Sequence, residues 1–128
     1  LQTLISRETN PLDSGVVTVG AFQGGYKHNI IPDEATLKIT VRSYKDDVRR
    51  KLIDGIKRIA RAQAQSAGLP ENLMPIVKVE SDYTPSTYND PALTARVVEA
   101  MAASLGENRV MERPPSMGGE DFSQFGRT

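Results

Sequence analysis

The sequence predicts an α+β protein, an antiparallel sheet with two helices on one face, followed by a fragment of a second, α/β domain. Three observations lead there. Residues 35–42 alternate strictly, with Leu37, Ile39 and Val41 on one side and Thr36, Lys38, Thr40 and Arg42 on the other, the period of a half-buried strand. Val48, Leu52, Ile56 and Ile59 then repeat at helical spacing, with Ile53, Ala60 and Ala64 widening the stripe. Finally, the composition breaks at Thr84-Pro85-Ser86-Thr87-Tyr88-Asn89-Asp90-Pro91, which reads as a linker between residues 1–84 and 85–128.

In chain order, Leu1, Leu4 and Ile5 have helical spacing, so residues 1–8 read as the tail of a helix that begins upstream. Asn10-Pro11-Leu12-Asp13-Ser14-Gly15 is turn chemistry. Residues 16–23 read as a strand, with Val17, Val19 and Ala21 on one face and Val16, Thr18 and Phe22 on the other. Gly24-Gly25 ends or bulges it, and a loop around Asn29-Ile30-Ile31-Pro32-Asp33 leads to the strand at 35–42. Ser43 and Asp46 form a Ser-x-x-Asp helix start, and Gly68 with Pro70 behind it forms the stop. A further strand is expected at 74–81, with Val77 and Val79 inward. In the second part, Asp90 before Pro91 starts a helix over 91–105. Gly106 stops it, a short strand follows near 109–112, and a helix start lies near Glu120-Asp121. The order helix, strand, strand, helix, strand is most of a ferredoxin-like β-α-β-β-α-β sandwich whose first strand would lie upstream of Leu1. The chain has no initiator Met and ends just after an apolar Phe, so a fragment is expected.

Composition narrows the function classes. Lys+Arg and Asp+Glu are both 16, a balance that argues against an electrostatic nucleic-acid or membrane binder. No apolar run approaches the roughly 20 residues of a membrane span. There is no Cys, which excludes disulfides and thiolate metal sites and fits a reducing, cytoplasmic location.

The same inventory limits the chemistry. A hydrolytic zinc or manganese site needs three or four ligands from His, Asp, Glu or Cys, and the chain has 1 His. Asp46-Asp47 is placed to oppose a helix dipole rather than to bind metal. Glu120-Asp121 after Gly118-Gly119 is either a helix start or a site. Asn29 sits between two strands, where its amide could meet a ligand or simply make a turn. Arg42 ends the polar face of a strand, where it could hold a carboxylate bidentately or be a solvated edge residue. His28 beside Asn29 reads as a surface residue.

Ser6-Arg7-Glu8-Thr9-Asn10-Pro11-Leu12, Val16-Val17-Thr18-Val19-Gly20, Gly24-Gly25, Asn29-Ile30-Ile31-Pro32-Asp33, Val41-Arg42 and Met117-Gly118-Gly119-Glu120-Asp121-Phe122-Ser123 occur in that order along the chain. Together they resemble the metallo-amidohydrolase family of hippurate hydrolases, auxin-conjugate hydrolases, aminoacylases and related carboxypeptidases. The resemblance implies a lid, or dimerisation, domain over residues 1–84 and a returning catalytic-domain segment over 85–128. It implies a homodimer, an N-acyl amino acid substrate, and two divalent ions (zinc, manganese or similar) held by residues outside this chain. None of that family's metal ligands maps here, His28 included. It further implies substrate contacts for Asn29 and Arg42, and a pocket-bordering loop at Gly118, Gly119 and Glu120.

Two other readings stand beside this one: a non-catalytic dimerisation or small-molecule-binding module, and an unrelated ferredoxin-like domain such as an amino-acid sensor. A calorimetric titration with zinc and with manganese tests the ligand inventory. No tight binding by this chain is expected, and tight stoichiometric binding would contradict the assignment of the metal site to other residues.

Overall fold

The computed structural model describes residues 1–127. Backbone pairing forms one two-stranded antiparallel sheet, β1 (Gly15–Gly24) and β2 (Ala35–Ser43), and two long helices, α1 (Asp46–Ser66) and α2 (Pro91–Leu105). A π-helical segment, Leu4–Glu8, precedes β1. Short 3-10 turns occur at Glu71–Leu73, Glu107–Arg109 and Asp121–Arg127. The chain divides into two units, one from Leu1 to Glu80 and one from Ser81 onward. The fold class is α+β.

In the first unit, α1 and the π-helical segment cover one face of the hairpin. Leu4, Val17, Val48, Leu52 and Ile56 form the buried core, with Ile5, Ile39, Val41, Ile59 and Val77 packed around it. Leu4 and Leu52 are 2% and 1% exposed. The approach is close because Gly55 has no side chain. A Cβ there would lie 2.3 Å from Leu4 Cδ2, well inside contact distance. Around this contact, Gln2 Nε2 donates to Val17 O (2.9 Å) and Thr9 Oγ1 to Leu4 O (2.8 Å). Glu8 bonds Arg58 through its carboxylate (2.5 Å) and Lys51 through its carbonyl. These ions are exposed, so they orient the segment more than they stabilise it.

The two strands differ from the alternation pattern in one respect. Val17 pairs with Val41 and Val19 with Ile39, but the next pair is Ala21 with Lys38, so Gly20 is an extra residue, a β-bulge. Directly opposed residues share a face. The helix-side face therefore carries Val17/Val41, Val19/Ile39 and Phe22/Leu37. The other carries Val16/Arg42, Thr18/Thr40, Ala21/Lys38 and Gln23/Thr36. Ala21 and Phe22 thus stand on the faces opposite to those expected, because the bulge shifts the period of β1 by one residue.

Three other expectations are corrected. Residues 74–81 are not a strand, because no strand among the described residues pairs with them, and Met74 N instead donates to Glu71 O in the preceding turn. Val77 nevertheless packs against the core. Residues 109–112 form no strand either, since a 3-10 turn consumes Glu107–Arg109 and residues 110–112 pair with no strand. At the start of α1, Ser43 does not cap. Its Oγ donates to Lys45 O (3.0 Å), and Asp47 Oδ1 accepts from Val48 N (2.8 Å). Beside that turn, Lys45 meets Asp13 at 2.6 Å, and the hydrogen bond and charge of Asp13 raise the ammonium pKa above its usual value.

The end of α1 agrees with its sequence signal. Gly68 has φ 75°, Gly68 N donates to Gln65 O (2.9 Å) and Leu69 N to Ala64 O (3.1 Å), a Schellman stop. In the second unit, Asp90 Oδ1 accepts from Leu93 N (2.8 Å) with Pro91 at the first position of α2. No residue of α2 is buried, and Leu93, Val97, Met101 and Leu105 lie exposed along it.

Replacing Gly55 with alanine is expected to push Leu4 off α1 and cost about 1–3 kcal/mol, read as a lower urea midpoint at unchanged slope. An alanine variant as stable as the parent would show that the Leu4 contact is not the tight one described.

Candidate functional site

The β1–β2 connection projects from the end of the sheet farthest from the core. It leaves β1 at Gly24 and turns at Gly25, whose φ of 73° is one that L side chains rarely adopt. The Pro32 ring lies 3.6 Å from the place a Cβ would occupy on Gly25, so the two ends of the loop are held together there. Between them run Tyr26, Lys27, His28, Asn29, Ile30 and Ile31, and Ile30 N donates to Lys27 O (3.4 Å). Gly24, Gly25, Tyr26, Lys27, His28, Ile30 and Pro32 line an open hollow of about 460 Å³. A second, overlapping hollow adds Gln23, Ile31, Asp33, Glu34 and Thr36. The volumes are those of a small-molecule site, but both hollows are open, so a ligand here needs a second surface to enclose it.

Asn29 is exposed in this tip, next to His28. Arg42 lies at the other end of the hairpin, paired with Val16 on the face away from the helices. From Ala35 to Arg42 the strand runs for about 24 Å, farther than one acylated amino acid reaches. The structure therefore does not bring Asn29 and Arg42 together within one chain. Gly118, Gly119 and Glu120 belong to the second unit, in an exposed segment without regular structure. Gly118 N donates to Ser116 Oγ (3.3 Å), and Glu120 Oε1 accepts from Phe122 N (3.0 Å). Glu120 thus opens the 3-10 turn Asp121–Arg127, as a helix-start residue does. Behind it Ser123 is 4% exposed, and its Oγ has no hydrogen-bond partner among the described residues.

Among the described residues no group of three or more His, Cys, Asp or Glu side chains comes together. The described residues by themselves therefore do not fit a hydrolytic metal centre, which needs at least that many ligands. Nor, among the described residues, is any helix long and apolar enough to cross a membrane.

Sequence pattern did not single out Tyr26 or Lys27. Tyr26 is 81% exposed and lines both hollows. An aromatic residue directly after Gly24-Gly25, with no apolar neighbour to bury it, was the available signal.

A two-stranded antiparallel hairpin backed by helices, with an open and exposed tip, defines the first unit. The chain belongs to the peptidase dimerisation domain family, which it matches over residues 3–67. It is 37% identical over 125 residues to IAA-amino acid hydrolase ILR1-like 4 of Arabidopsis thaliana, covering 98% of this chain and 28% of that protein. It is 35% identical over 125 residues to N-acetyl-L-cysteine deacetylase of Bacillus subtilis, covering 98% of this chain and 28% of that protein. It is 32% identical over 127 residues to hippurate hydrolase of Campylobacter jejuni, with 98% and 32% covered. A crystal structure of an aminohydrolase from methicillin-resistant Staphylococcus aureus superposes with a TM-score of 0.79 at 28% identity, covering 98% of this chain and 31% of that one. The chain therefore spans about a third or less of the length of each of these relatives.

Proposed function

We propose that the longer protein containing this chain is a metal-dependent amidohydrolase that cleaves the amide bond of N-acyl amino acids. Residues 1–84 act in it as the lid and dimerisation domain, and residues 85–128 as a returning part of its α/β catalytic domain. Two divalent ions, zinc, manganese or similar, are held by residues outside this chain, so the chain alone is inactive. The observation that carries the reading is the exposed amide of Asn29 at the tip of a projecting hairpin, in a chain similar to three proteins named for hydrolysing or deacetylating N-acylated amino acids. The substrate class is a hippurate-like N-acyl amino acid, and the place of action is cytoplasmic.

In this reading each residue has a distinct task. The Asn29 amide N–H donates to the scissile carbonyl as negative charge develops on its oxygen. The Arg42 guanidinium forks onto the substrate carboxylate. Because the length of β2 separates them, one small substrate meets both only if a homodimer supplies the tip from one copy and the strand end from the other. Gly118, Gly119 and Glu120 border the pocket through their backbone, with the Glu120 carboxylate holding the turn after it. The dimerisation family supports the homodimer. An accessory module that only dimerises or binds a small molecule is the alternative, and it predicts no kinetic effect of either side chain.

The test is made in the full-length enzyme with N-benzoylglycine and N-acetyl-L-cysteine as substrates. Asn29→Ala is expected to lower kcat by about 100-fold. Arg42→Ala is expected to raise KM about tenfold or more with kcat little changed. Turnover of neither substrate by the parent would reject the proposed reaction. An Asn29→Ala enzyme with unchanged kinetics would remove the tip from the site, and unchanged KM and kcat would do the same for Arg42.

A further inference from the structure

The bulge at Gly20 has two consequences beyond its local geometry. Without it, the alternation of β1 would put Ala21 on the helix side and Phe22 on the polar side. With it, Phe22 joins Leu37 in line with Val17/Val41 and Val19/Ile39. Burial is not what this arrangement gains, because Phe22 stays 73% exposed and Leu37 45%. Nor does the bulge serve a steric need of glycine. A Cβ at Gly20 would meet nothing closer than Lys38 O at 3.9 Å, and its φ is not positive. What the extra residue does change is direction, since a bulge bends its strand and increases the local twist. It sits where the helices stop supporting the hairpin, between the core residue Val17 and the projecting tip. From Gly20 to Gly24 the strand is about 13 Å long, so a bend of only about 10° moves the tip by about 2 Å.

We propose that the Gly20 bulge is a positioning element that aims the 25–34 tip, and with it Asn29, at the substrate. The proposal rests on the substrate role of Asn29 under the proposed function and adds to it the residue that directs the tip. Gly20 touches no substrate and acts only through the path of β1.

The ladder makes a clean test possible. Deleting Gly20 leaves every existing pair in place, Val19 with Ile39, Ala21 with Lys38 and Phe22 with Leu37, and removes only the bulge. Gly20→Ala keeps the extra residue in open space. In the full-length enzyme, kcat/KM for N-benzoylglycine, or for N-acetyl-L-cysteine where that is turned over faster, is measured for the Gly20 deletion, Gly20→Ala, Asn29→Ala and the deletion combined with Asn29→Ala, each with its melting temperature. The deletion is expected to lose about 10- to 100-fold in kcat/KM, the cost of misplacing a reacting group by an ångström or two, while melting within a few degrees of the parent. Gly20→Ala is expected to stay within about threefold. Adding Asn29→Ala to the deletion is expected to cost little more, because a misaimed amide has already lost its contact.

A merely structural role for the bulge would leave the Asn29→Ala effect at full size in the deletion background, and would overturn the proposal. A deletion variant as active as the parent, with Asn29→Ala still impaired, overturns it while leaving the substrate role of Asn29 standing. An unimpaired Asn29→Ala removes that role and the proposal together. Should the deletion fail to fold, an alanine inserted between Lys38 and Ile39 reads the same question. It pairs Gly20, abolishes the bulge and turns the lightly buried Phe22 and Leu37 to the other face; full activity in that variant would refute the proposal, and a loss that absorbs the Asn29→Ala effect would support it.

Discussion

The first unit depends on one close contact, Leu4 seated where Gly55 has no side chain. Glycine inside a helix costs about 1 kcal/mol relative to alanine. Here that cost is offset because the notch lets the π-helical segment lie directly on α1 and buries Leu4 beside Leu52, Ile56 and Val17. The unit has few aromatic residues, and its core is made of a handful of aliphatic side chains. Losing one of them therefore removes a large share of what holds the hairpin.

Support from the core stops partway along the hairpin. Val17, Val41 and Ile39 pack under the helices, whereas Phe22 and Leu37 share their face but remain largely exposed. The result is a firm root and a projecting arm with a glycine bulge at the transition. An arm of this kind can carry a loop to a surface that its own unit does not provide. That capacity is what the proposed lid function requires, because no group of metal-ligating side chains comes together among the described residues and the open hollows need a second surface.

Much of this was legible in the sequence, and the failures have specific causes. The alternation of β2 and the stripe and glycine stop of α1 read correctly because each depends on local periodicity and backbone conformation alone. The capping Asp90 before Pro91 did so for the same reason. The faces of β1 beyond Val19 read wrongly because alternation assumes one residue per step, and Gly20 adds one. The glycine was itself the available sign, since an isolated glycine inside a strand often marks a bulge. Residues 74–81 read as a strand because pattern reports what a segment could pair, not whether a partner is present. Gly55 is hidden by the strong helical stripe around it, although a mid-helix glycine is a sign of close approach.

The candidate site can be proposed from motif but not from geometry. Asn29 and Arg42 fall in recognisable segments, and their types suit a carbonyl and a carboxylate. Their separation along β2 comes only from the strand's extension, and it means that a single chain cannot direct both side chains at one small substrate. Glu120 resolved toward its local role, the bond to Phe122 N, for which the spacing after two glycines was the sign. The most direct test of a firm root and a projecting arm is native-state amide hydrogen exchange. Amides at Val17, Val19, Ile39 and Val41 are expected to exchange only by global unfolding, while amides from Phe22 through Leu37 exchange by local opening at much lower free energy. Equal protection along the whole hairpin would contradict this.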